Sequence, residues 1–218
     1  MTKFLSQIYE KRFAGFELYR LKIWKVLINR FFYKWIDKEF EVLDLGSGYG
    51  EFINQAKCSK KHAMDLNPKA KRYLSGQIQF HQQDCAEPWS IEQESLDLVF
   101  TSNFFEHLPD KKALENTIQN IHKALRKGGK LIAMGPNIAV LKGRYWDFWD
   151  HHVPLSLQSM EEILAICNFE IESSFAKFLP YNMIRVRKKP ISLLYLYLRC
   201  PLLWKLFGKQ FLVIAKKI

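Results

Sequence analysis

The stretch Glu41-Val42-Leu43-Asp44-Leu45-Gly46-Ser47-Gly48-Tyr49-Gly50 constrains this chain more than any other. Its apolar residues at 42, 43 and 45 read as a buried strand, and three glycines at alternate positions make a tight turn directly after it. Bare backbone at 46, 48 and 50 also lets a ligand approach closely, as in a nucleotide-binding strand-turn-helix whose helix starts near Glu51. Nicotinamide enzymes and plain structural bends share such a turn, so it sets a fold class before it sets a chemistry. Further apolar runs follow at HAMDL, QIQFH, LDLVFT and KLIAMG, with helical segments between them. That rhythm predicts an α/β protein, a parallel sheet doubly wound with helices.

Spacing sharpens the reading. Asp65 closes the second strand, 21 residues beyond Asp44, where a carboxylate can accept from both hydroxyls of a ribose. Asp84 follows the third strand and can accept from an exocyclic amine. Acceptors thus stand at successive strand ends, the edge where open α/β sheets bind ligands. A helix is predicted from Pro109-Asp110 to Gly128-Gly129, and another from Ser159, with Glu162 reaching back to complete the cap, to Cys167. Later strands are read at Phe169–Lys177 and Gln210–Lys216. The stretch PNIAVLKGRYWDFWDHHVPLS, about 20 residues without periodicity, has the length of a functional loop.

Charge is distributed unevenly. Ten of the 33 basic residues lie at or beyond Lys177, where no Asp or Glu occurs, so this last fifth carries nearly all of the net charge of +11. The N-terminal stretch meets charges at Lys3, Glu10, Lys11 and Arg12, too early for a secretory signal. The most apolar run, Ile191 to Trp204, is interrupted by Arg199 and Pro201 and is too short to span a bilayer. Cys58, Cys85, Cys167 and Cys200 form no CxxC pair, which indicates reduced thiols rather than a zinc site or a disulfide framework. A cytoplasmic protein is expected.

With these residues in place, the chain resembles the class I S-adenosylmethionine-dependent methyltransferases over roughly residues 40 to 176 and the last strand. DLGSGYG is similar to the family's first motif, MDLNP to its ribose-binding segment and DCAEPW to its adenine-side segment. LDLVFTSNFFEHLPD and ALRKGGKLIAMGPN resemble the fourth- and fifth-strand segments. DHHVPLSLQSMEEILAICNFE resembles a segment of the ubiquinone-methyltransferase-like branch. The resemblance implies a Rossmann-like seven-stranded sheet with its last strand antiparallel. It implies S-adenosyl-L-methionine as cofactor, held by Asp44, Gly46, Ser47, Gly48, Gly50, Asp65, Leu66, Asp84, Cys85 and Asn103. One departure is Asn168-Phe169, where the family has Gly-Phe.

Methyl transfer from a sulfonium is an in-line displacement that needs alignment, and a base where the acceptor is a hydroxyl. His107 and His151 are the candidate bases, with Asp150 available to orient His151 or His152; the competing use of His107 is as a packed, hydrogen-bonded residue, and that of His151 is to pin the loop to the sheet. Trp146, Trp149 and His152 are candidate acceptor contacts, and packing of the loop is the competing use of the tryptophans. No metal site is expected, because the adjacent side chains of His151 and His152 rarely share an ion.

The chain divides into an N-terminal helical cap (1–39), a catalytic domain (40–178 and 209–218) and a hydrophobic basic insert (179–208). Aliphatic residues among purely basic charges suit a helix lying on anionic lipid, which would attach the protein peripherally to the inner membrane. A hairpin packed on its own domain or a homodimer interface competes for the same residues. Nucleic acid is not expected, since polar interleaving is lacking. The acceptor read from this is small or lipid-linked: quinone-like, prenylated or a glycolipid. Another transfer with the same cofactor, or a non-catalytic membrane-recruitment subunit, are the alternatives.

Overall fold

The computed structural model describes residues 15–181 and 189–218. Seven strands form one sheet: β1 (Glu41–Leu45), β2 (Lys60–Met64), β3 (Ile78–His81), β4 (Leu96–Ser102), β5 (Leu125–Pro136), β6 (Phe169–Phe175) and β7 (Gln210–Lys217). Their order is β3-β2-β1-β4-β5-β7-β6. β1 to β5 run parallel, and β7 lies antiparallel to both β5 and β6, as expected. The central strands read as apolar runs because both faces are covered.

One face is covered by α2 (Lys111–Ala124) and α3 (Leu157–Ile166), whose Leu114, Ile118, Met160 and Leu164 pack on Leu43, Val99, Leu131 and Val213. The other face is covered by α1 (Glu17–Arg30) together with two helices of the insert, α4 (Ile191–Arg199) and α5 (Pro201–Phe207). There Trp24, Leu27, Tyr197 and Trp204 meet Val42, Phe100, Leu212 and Ile214. The insert leaves and returns at one point, where Leu179 accepts from the main-chain N–H of Lys209 and Gln210 at 2.8 and 3.0 Å. Its inner residues are therefore core. Its outer ones, Leu193, Leu196, Leu202, Leu206 and Phe207, stay exposed. Arg185, Arg187 and Lys188 lie outside the described residues, as do the first residues of the N-terminal cap.

Several boundaries differ from expectation. No helix forms at Glu51; only a turn does, because about nine residues separate Gly50 from β2 and two of them, Phe52 and Ile53, are drawn into the core. α2 opens as expected, with the Asp110 carboxylate accepting from Ala113 N at 2.8 Å, but it ends at Ala124. Leu125 is already extended (φ −68°, ψ 137°) and pairs with Leu96, so the two glycines lie within β5. α3 is capped one turn early: Ser156 and Ser159 bond reciprocally at 3.2 and 2.9 Å. Asn168 takes φ +60°, the left-handed position after α3 that glycine usually fills. β6 stops at Phe175, short of Lys177.

Candidate active site

After β1 the chain moves outward to β2 and β3, then crosses back to β4 on the other side of β1. The loops after β1 and β4 therefore leave in opposite directions and open a crevice at the carboxyl edge. In the first loop, Gly46 and Ser47 donate to the Met64 carbonyl at 2.9 and 3.2 Å, and Gly50 donates to that of Ser47 at 2.8 Å. Gly46, Gly48 and Gly50 have φ of +71°, +52° and +66°, where a Cβ is costly. A Cβ on Gly46 would lie 2.3 Å from the Phe104 ring, and one on Gly50 would lie 2.6 Å from Leu74. At 46 and 50, then, packing within the protein requires glycine, beyond the ligand approach that sequence reasoning supplied.

Asp65 follows β2 and ties the two strand tips together. Its Oδ2 accepts from Gly48 N at 2.9 Å and its Oδ1 from Asn67 N at 2.8 Å. Burial lifts its carboxyl above the usual range. Asp84 is exposed and accepts from Ala86 N at 2.9 Å. Cys85 turns inward under the Thr117 hydroxyl, which donates to its Sγ at 3.3 Å, and burial pushes the thiol up to about 11. The Cys85 carbonyl accepts from Trp89 Nε1 and Asn120 Nδ2 at 2.9 and 3.1 Å, so its main-chain N–H is what is left for a ligand. Leu66 is exposed. Asn103, at φ +51°, donates its N–H to Met134 O at 2.8 Å. Ser47 Oγ and Asn103 Oδ1 are buried without a hydrogen-bond partner among the described residues. Each such atom costs about 1–3 kcal/mol, which a polar ligand in the crevice would offset.

Asp44 is buried at the end of β1. Burial, then the nearby carboxylates of Glu51 and Asp65, hold its carboxyl well above the usual range, against an opposing hydrogen bond from the Ile53 N–H. The folded chain thus keeps the Asp44 proton to a higher pH than the unfolded chain does. This stabilises the fold fully in acid, and the stabilisation is lost as pH rises through the folded pKa. Asp44→Asn is expected to melt with wild type at pH 2.5, below the ordinary carboxylate range, and a few degrees above it at pH 8, where each 1 kcal/mol corresponds to about 2–4 °C in a chain this size. Calorimetric melting at both pH values checks this.

The second half of the site follows β4. His107 ends the turn Phe105–His107; its Nδ1 donates to the Asp150 carbonyl at 2.7 Å and lies 3.4 Å from the Asp150 carboxylate. Asp150 therefore orients His107, a pairing the sequence did not suggest, because the loop folds back onto the end of β4. The Glu106 carbonyl straps it there, accepting from the main-chain N–H of His152 and Val153 at 2.8 and 3.2 Å. His151 is buried, 3.1 Å from the Tyr181 hydroxyl and ringed by Tyr145, Phe148 and His107. The His107 side chain keeps 27% exposure. His152 is exposed, and Trp146, edge-on to the Tyr145 ring, and Trp149 are 51% and 79% exposed.

Glu106, His107 and His151 bring donor atoms within 4.8 Å of one another, close enough to share a divalent ion. Glu106, Phe104, Tyr145 and Tyr181 were missed by sequence reasoning. Glu106 adjoins His107 and could have been found; nothing local marks Tyr181, 30 residues from its partner.

The family described as "Methyltransferase domain" matches residues 16–174. An uncharacterized protein of Methanocaldococcus jannaschii is 31% identical over 129 residues, which cover 57% of this chain and 54% of that protein. The chain thus spans about half the length of the curated relative it matches. A chain of the complex between the Haloferax volcanii Trm112 methyltransferase activator and a methyltransferase superposes with a TM-score of 0.71 at 14% identity, covering 99% of this chain and 98% of that one. A SAM-dependent methyltransferase from Archaeoglobus fulgidus gives 0.67 at 21%, covering 99% and 100%. Both structures share the fold.

Proposed function

Because the chain belongs to the methyltransferase domain family, we propose that it transfers the methyl group of S-adenosylmethionine to a nucleophile on a small or lipid-linked acceptor. The observation that carries this reading is Asp65, whose two oxygens bind the glycine turn and its own loop beside the crevice. Its spare lone pairs suit ribose hydroxyls. The main chain of 46–50, with Asp44 and Ser47, faces the amino-acid end; Leu66, Asp84 and the main chain of Cys85 take the adenine; Asn103 closes the site from β4. Bound there, the cofactor would supply an electrophilic methyl on a sulfonium.

The chain's own residues align the acceptor and handle its proton. His107 is reachable, and its Nδ1–H is fixed by Asp150, which leaves Nε2 as the acceptor of a hydroxyl proton. His151 is buried against Tyr181 and acts as a positioning residue. Trp146, Trp149 and His152 offer an exposed rim for a flat or prenylated acceptor of the quinone, prenyl or glycolipid kind. The exposed leucines of α4 and α5, beside Arg199, Lys205 and Lys209, would hold the protein on an anionic membrane. Among the described residues no helix is long and apolar enough to cross one.

The test combines binding with labelling. S-adenosylhomocysteine is expected to bind at micromolar levels and NADH not to bind. Lipid and small-molecule extracts incubated with deuteromethyl cofactor should yield a product carrying a trideuteromethyl group. Absence of S-adenosylhomocysteine binding overturns the reading. Binding without any labelled product would favour a recruitment subunit, or a missing partner protein of the kind present in the Haloferax complex.

A further inference from the structure

We propose that the cleft between α1 and α4 is a phosphate-binding subsite for the headgroup of an anionic phospholipid. This rests on the membrane half of the function proposed above and locates where the lipid phosphate is held. The cleft measures about 590 Å³, and its lining includes Lys22, Lys25 and Arg30 of α1, Lys57, and Tyr195 of α4. Its lining contains no carboxylate, and none of the four cations forms an ion pair among the described residues. Arg20 on the same helix is the contrast, since it meets Glu51 at 2.7 Å.

Lys22 and Lys25 are three apart and so neighbours on one helical face, where like charges repel by a few tenths of a kcal/mol. A counter-anion removes that cost. The Arg30 guanidinium lies 5.3 Å over the Tyr195 ring, which holds one wall of the cleft in place. Leu18 and Leu21 lie one turn before Lys22 and Lys25 on the same face, and Leu193 and Leu196 project from α4; all four are exposed. Phosphate alone would satisfy the cations and leave these leucines in water. A phospholipid satisfies both, with phosphate in the cleft and acyl chains against the leucines.

The full chain is compared with the triple variant Lys22→Gln, Lys25→Gln, Arg30→Gln in co-sedimentation with phosphatidylcholine vesicles, with and without phosphatidylglycerol. A control triple, Lys111→Gln, Lys123→Gln, Lys127→Gln, removes equal charge elsewhere on the surface. Near an anionic surface each cation contributes roughly fivefold, so the cleft triple should lose about a hundredfold in affinity for the phosphatidylglycerol vesicles. The control should lose far less. Equal losses in the two triples would overturn the cleft while leaving membrane attachment intact. Failure of the wild type to sediment with either vesicle would overturn attachment itself. Displacement by millimolar inorganic phosphate, without preference for phosphatidylglycerol, would reassign the cleft to a soluble phosphate; tighter binding of single-stranded RNA, lost in the cleft triple, would reassign it to nucleic acid.

Discussion

Asp65→Ala is expected to weaken S-adenosylhomocysteine binding by roughly a hundredfold or more while the protein stays folded. Hydrogen bonds to a charged group contribute about 1.5–3 kcal/mol each, and two ribose hydroxyls would lose theirs at once. The substitution also frees the Gly48 N–H from its 2.9 Å bond, so the glycine turn loses its tie to β2. Asp65→Asn retains one acceptor oxygen and should fall between the two. Titration calorimetry with S-adenosylhomocysteine gives the affinities, and far-ultraviolet circular dichroism checks the fold. Wild-type affinity in Asp65→Ala would remove this carboxylate from the cofactor site, and with it the observation on which the proposed function stands.

His107→Ala should behave in the opposite way, slowing turnover by about 10²–10⁴-fold, the usual contribution of a positioned base. Cofactor affinity should stay within about twofold of wild type, since His107 lies beyond the residues proposed to hold it. Added imidazole should restore part of the rate, a rescue that a merely structural histidine would not show. Asp150→Asn should cost less, because the Asp150 main-chain carbonyl still accepts from Nδ1 at 2.7 Å. Single-turnover kinetics with saturating cofactor separate these effects from binding. Inactivation by EDTA that a divalent cation reverses would instead assign Glu106, His107 and His151 to a metal, for which their 4.8 Å grouping is compact enough.

The sheet was readable because its signals are local. Each strand is a short apolar run, and the turn at 46–50 needs residues without Cβ wherever φ is positive. The α2 start at Asp110 was legible for the same reason, since a cap is satisfied within three residues. The helix ends were not, because tertiary pairing overrode the local pattern: Leu125 continues the apolar stripe of α2 yet pairs with Leu96. Ser156 and Ser159 are chemically equivalent caps one turn apart, so composition could not choose between them. The roles of the glycines were legible only in part, for a related reason. Sequence shows that a side chain is absent but not what fills the space, and at Gly46 that is Phe104.

The amino-acid order alone determined the winding of the sheet, the strand tips bearing Asp44, Asp65 and Asp84, and the excess of positive charge toward the C-terminus. Those features depend on neighbours a few positions apart, which periodicity and turn chemistry record directly. Only the folded chain decided that Asp150 meets His107 across 43 positions, that Tyr181 meets His151, and that Lys22, Lys25, Arg30 and Lys57, which form no ion pair among the described residues, share a cleft. These meetings depend on how an aperiodic loop and an insert settle onto the sheet. That docking is driven by buried surface, which has no direction along the sequence and leaves no spacing to read.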